Sequence, residues 1–87
     1  MNKQDILTLM DGGFWGEALK ETAELPETSA DTWFLRSKIY SRLGRIADSL
    51  SCLNKTLDID PNHEEAKVMV ELSQSIYAFR DPNRYNP

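Results

Sequence analysis

The chain holds a single cysteine, Cys52, and a single histidine, His63. One cysteine cannot close an internal disulfide, and one histidine beside one cysteine leaves little from which to build an acid–base or nucleophilic pair. His63 stands next to Glu64 and Glu65 and reads as a solvated residue of a helix's first turn. Cys52, between Leu50 and Leu53, reads as a small buried hydrophobe. The glycines are few, and Gly12-Gly13 is not followed by the Gly-Lys-Ser of a phosphate loop. Ten basic residues against fourteen acidic ones leave a net charge of −4, where a nucleic-acid partner would want a basic stripe. No run of about eighteen apolar residues is present to span a bilayer. The opening Met1-Asn2-Lys3-Gln4-Asp5 is polar and lacks the apolar stretch of a signal peptide. These gaps point away from an enzyme, a metal or cofactor protein, a nucleic-acid binder and a membrane protein. They point toward a soluble, cytoplasmic chain of one small domain with Cys52 reduced.

What the chain does have is spacing. Trp33 and Tyr40 are seven residues apart, two helical turns, so both rings fall on one face of one helix. Gly44 comes four residues later, where a residue able to take the left-handed conformation ends a helix and turns the chain back. Ile46, Leu50, Leu53 and Leu57 follow at three- and four-residue steps, the apolar stripe of a second helix. Pro61 then stops it, having no N–H to donate and clashing with the turn before it.

These residues resemble the 34-residue tetratricopeptide repeat, whose pattern is Trp-x2-Leu-Gly-x2-Tyr, then Ala-x3-Phe, then Pro. Residues 30–63 cover one whole repeat, from Ala30 at its first position to Pro61 at its thirty-second. Trp33, Tyr40, Gly44, Leu50 and Pro61 fit the pattern, and Leu53 replaces an aromatic. Arg36-Ser37 stands where the pattern has Leu-Gly, with Leu35 one place early. Ser49 and Thr56 replace two alanines, and their hydroxyls can be satisfied by carbonyls one turn back.

Upstream, Gly13-Phe14-Trp15-Gly16-Glu17-Ala18-Leu19 resembles the turn and second-helix start of an earlier, degraded copy. Only thirty-one residues separate Ala18 from Ser49, because Pro26 ends that copy's second helix about a turn early. Downstream, Asn62 opens the first helix of a third copy that has no second. The resemblance implies an all-α fold: a short right-handed superhelix of about five antiparallel helices, two and a half repeats, closed by a capping helix. The divisions are 1–28 for the degraded repeat, 29–61 for the full one and 62–81 for the cap, with 82–87 an irregular tail.

Helices are predicted over 3–10, with Ile6, Leu9 and Met10 buried; over 15–25, with Trp15, Ala18, Leu19 and Thr22 buried; and over 30–43, 45–58 and 62–80. Ser29 is the predicted N-cap of the third helix, with Asp31 complementing its dipole. Asn62 is the predicted N-cap of the fifth, with Glu65 completing a capping box.

For function, the resemblance implies a protein that binds other proteins and does no chemistry. Carried over position by position, the partner-binding groove is Phe34, Lys38, Ser41 and Arg42, with Lys3, Gln4 and Leu7 contributed by the first helix. Lys38 and Arg42 are four apart and project side by side. Chaperone-binding members of the family clamp a peptide carboxylate there, but Phe34 stands where a lysine would be and no asparagine accompanies it. The plain alternative is a solvated basic pair on an acidic protein.

The fifth helix carries two stripes. Ala66, Met69, Val70, Ser73 and Tyr77 suit packing on the preceding helices. Val68, Leu72, Ile76 and Phe79 form a second apolar face, where a terminal cap should be polar. That face is the candidate for self-association into a homodimer, unless the tail and Tyr85 cover it.

Overall fold

The computed structural model describes residues 3–80, with side chains from Lys3 to Leu72. Among these residues the chain is all-helical: α1 (Lys3–Asp11), α2 (Trp15–Glu21) continued by a 3-10 turn (Thr22–Glu24), α3 (Ala30–Arg42), α4 (Ile46–Ile59) and α5 (Glu64–Arg80). The predicted tail, 82–87, lies outside the described residues.

Two of the connections are the same device. Gly13 and Gly44 have φ of 81° and 78°, the left-handed region that a glycine enters without Cβ strain. At the first, the N–H groups of Gly13 and Phe14 donate to the carbonyls of Met10 and Leu9. At the second, those of Gly44 and Arg45 donate to Ser41 and Tyr40. Both are Schellman closures, which satisfy the carbonyls left over at a helix end and reverse the chain. Thus α1–α2 and α3–α4 are two hairpins of one design.

The α-helical part of α2 ends at Glu21, short of the predicted Leu25. Pro26 is the cause. Leu25 must be extended ahead of it (φ −82°, ψ 156°), and Thr22–Glu24 tighten into a 3-10 turn. At the start of α3, Ser29 holds the N-cap position with extended backbone, but its hydroxyl makes no capping bond.

At α5 the N-cap is His63, not Asn62. Asp60 accepts the Asn62 N–H on its side chain and that of His63 on its carbonyl. This keeps Asn62 in the turn, and His63 Nδ1 accepts the Ala66 N–H at 3.1 Å. The imidazole therefore takes the role of a capping carboxylate or hydroxyl, with its remaining proton on Nε2. The ring also packs on Phe34, centroids 4.5 Å apart.

Two apolar clusters hold the helices together. Ile6, Ala18, Leu35 and Ile39 form the first, with Leu9, Met10, Trp15 and Leu19 packed against it. Phe34, Leu53 and Ala66 form the second, with Leu50, Leu57, Met69 and Val70 around it. Helix α3 supplies both: Leu35 and Ile39 face back toward α1 and α2, Phe34 forward toward α5. The first packing stripe predicted for α5 lies against the second cluster as far as its side chains are described.

Small residues let α3 and α4 approach. Ser49 donates to the Ser37 carbonyl across the helix pair at 2.8 Å rather than one turn back. Thr56 does bond one turn back, to Cys52. Among the described residues no buried side-chain polar atom lacks a hydrogen-bond partner.

Candidate functional site

Contacts advance in register along α1, α3 and α5. Lys3 pairs with Asp31 at 3.5 Å, and Phe34 meets His63 and Ala66. Further along, Met10, Ser41 and Met69 share one cavity. The three helices therefore run the same way, and a groove of about 440 Å³ lies over them, lined by Met10, Trp15, Lys38, Ser41, Arg42 and Met69. Lys38, Ser41 and Arg42 of the predicted groove are brought together here.

Phe34 is not part of this lining. It is 7% exposed, because α5 lies on it through His63 and Ala66. Lys3 is engaged with Asp31, and the first helix contributes Met10 instead of Gln4 or Leu7. Met10, Trp15 and Met69 fell in predicted packing stripes. Each is half-buried, with one side in the core and the other forming the groove wall.

The chemistry of the groove is mixed. Lys38 Nζ sits 4.7 Å above the Phe34 ring, and Arg42 Cζ sits 5.6 Å from the Trp15 ring. These contacts with the negative ring faces hold the cations in place. Neither cation is paired with a carboxylate among the described residues. The groove thus presents two positive charges beside thioether and indole surface, on a chain of net negative charge.

A second polar arrangement, absent from the sequence reading, fixes the groove's α2 side. Arg36 is 8% exposed and spans the joint between the two hairpins. Its Nε donates to Thr22 Oγ1 at 3.1 Å and one terminal nitrogen to the Thr22 carbonyl at 2.8 Å. Both terminal nitrogens donate to Glu27, each at 2.9 Å, a bidentate fork of the strong kind. The guanidinium also lies 4.7 Å over the Trp33 ring, whose Nε1 donates to the Glu27 carbonyl at 2.7 Å.

The bonds from Arg36 hold the Glu27 carboxyl below its ordinary value of 4.5; partial burial opposes this and the positive charges of Arg36 and Lys55 add to it. Reciprocally, the bonds that Arg36 donates to Glu27 raise the guanidinium's pKa, against the opposing effect of burial. Burial pushes the Cys52 thiol up, so the thiol stays protonated and poorly nucleophilic.

A carboxylate that binds its proton less tightly folded than unfolded stabilises the fold above its ordinary value. That contribution is lost as pH falls below 4.5 and through the lower folded value. Glu27→Gln should therefore unfold at lower denaturant than the parent at neutral pH, and the two midpoints should converge in acid. Denaturation curves of both proteins across that range measure it; a gap that persists undiminished in acid would contradict the assignment.

Among the described residues, no three His, Cys, Asp or Glu side chains are grouped so as to hold a metal ion, and no helix is long and apolar enough to cross a membrane. Comparison of the chain with family models, curated proteins and solved structures finds no match.

Proposed function

We propose that the chain is a non-catalytic protein-interaction module of tetratricopeptide type, an adaptor that holds a partner's segment in the groove over α1, α3 and α5. The observation that carries this is the pair Lys38 and Arg42, matched by no carboxylate among the described residues and seated on aromatic rings beside Met10, Trp15 and Met69. Such a surface suits a segment that alternates acidic and apolar side chains. The anions answer the two cations, and the apolar groups bury against methionines, whose flexible thioethers adapt to irregular shapes.

Support for the repeat architecture comes from the two Schellman hairpins and from the thirty-four residues that separate the N-caps Ser29 and His63. On this reading no cofactor or metal is involved, and the reducing cytoplasm suits the lone thiol of Cys52.

The test is charge reversal. The double variant Lys38→Glu, Arg42→Glu, both exposed positions, should keep the parent's helical circular dichroism. In affinity capture from the native host's lysate, partners retained by the parent should fall at least tenfold, about the 1.4 kcal/mol that one lost charge contact of moderate strength represents. An unchanged set of partners would remove the groove from consideration.

A further inference from the structure

Helix α5 is the counterpart of α3 one repeat on. Their N-caps are thirty-four residues apart, and so are Phe34 and Val68. The two positions have opposite fates. Phe34 is 7% exposed because α5 covers it, whereas Val68 is 52% and Leu72 59% exposed, and no described helix follows to cover them. Beside them lies an almost wholly apolar hollow of about 350 Å³ lined by Glu64, Glu65, Val68 and Met69. This is the face on which a further helix of the stack would sit.

We infer that a second copy of the chain takes that place, its α5 packing antiparallel on this α5 about a two-fold axis at Leu72. Three observations select this occupant. First, the opposite end of the stack cannot supply the missing helix. There α1 exposes Gln4, Asp5, Thr8 and Asp11 and no large apolar side chain, so head-to-tail stacking would set apolar surface against polar. The α5 face complements itself, as an isologous contact requires.

Second, Leu72 is the middle residue of the seventeen in α5. An antiparallel pair centred there therefore overlaps along the whole helix, about 25 Å, and sets Leu72 against Leu72. Third, charge fixes the direction. A parallel pair would bring the two acidic first turns, Glu64 and Glu65, side by side. The antiparallel pair parts them and puts each beside the partner's last turn, where the sequence has Arg80. One helix pair buries on the order of 1,000 Å², the size class of weak, reversible association, so a dissociation constant on the order of micromolar or weaker is expected.

Sedimentation equilibrium of the full chain between about 5 and 500 μM, a range that brackets such a constant, tests the pairing. The expected result is a reversible monomer–dimer equilibrium, weakened at least tenfold by Leu72→Glu and by Val68→Glu with helical content unchanged. A parent chain monomeric throughout would overturn the proposal, as would a dimer indifferent to both substitutions.

Direction is read separately in a Cys52→Ala background. Under mild oxidation Leu72→Cys should form a covalent dimer readily. Glu64→Cys should not, its two copies lying about 24 Å apart at 1.5 Å per residue. Efficient cross-linking through position 64 with none through position 72 would overturn the antiparallel arrangement.

Discussion

Arg36→Ala lowers the stability of the domain by roughly 2–3 kcal/mol, and Arg36→Met by only about 1 kcal/mol. The difference follows from what each truncation leaves behind. Alanine removes the apolar stem that fills the joint between α2 and α3, the stacking on Trp33 and the fork to Glu27 at once. Methionine keeps most of the buried volume and strands nothing. The Thr22 hydroxyl still donates to the Leu19 carbonyl, the Thr22 carbonyl still accepts from Leu25, and the Glu27 carboxylate, 60% exposed, is taken up by water.

A chain of this length has a total stability on the order of 4–13 kcal/mol, so the alanine variant loses a large part of it. The loss appears as a drop of about 10–20 °C in melting temperature. Thermal unfolding of the two variants decides the matter. A methionine variant as unstable as the alanine one would mean that the hydrogen bonds, not the packing, hold the hairpins together. Such a change also moves the groove, because the joint fixes α2, and with it Trp15, against Arg42.

The helical hairpins were legible because their signals are local. A glycine four residues after Tyr40, an apolar stripe and a proline stop all act within one turn of where they stand, so Gly44 and Pro61 could be placed without knowing the rest. Arg36 could not. The repeat pattern expects leucine there, and the partners that make arginine tenable, Thr22 and Glu27, lie fourteen and nine residues away in the irregular stretch between hairpins.

Phe34 shows a different limit. A position read within one repeat faces the groove, but the same side chain is buried once α5 is laid beside it. The pattern of a single repeat carries no information about its neighbour's N-cap. His63 belongs with it: only the turn set by Asp60 reveals that the imidazole, rather than Asn62, caps α5. Of the predicted self-association face, Val68 and Leu72 are exposed, while the side chains of Ile76 and Phe79 lie outside the described residues.

Leu53→Ala should cost about 3 kcal/mol, the middle of the range for a fully buried leucine, but its more telling effect is where the chain opens. Leu53 is 0% exposed and joins Phe34 and Ala66 in the cluster on which α5 rests. Helix α5 packs chiefly on α4, and among the described residues no further helix packs behind it. Ile39, equally buried, belongs to the other cluster, with Ile6, Ala18 and Leu35.

Stacked helical units gain their stability from neighbours, so a defect weakens most the unit that it seats. Leu53→Ala should therefore speed amide exchange in the first half of α5 by about a hundredfold, the factor corresponding to 3 kcal/mol, and in α1 and α2 by far less. Ile39→Ala should show the reverse order at a similar total cost. Equal acceleration of all helices in both variants would mean that the chain opens only as a whole. If α5 does open first, Leu53→Ala should also weaken capture of the partner segment proposed for the groove, since Met69 leaves the groove wall with α5 while Lys38 and Arg42 stay in place.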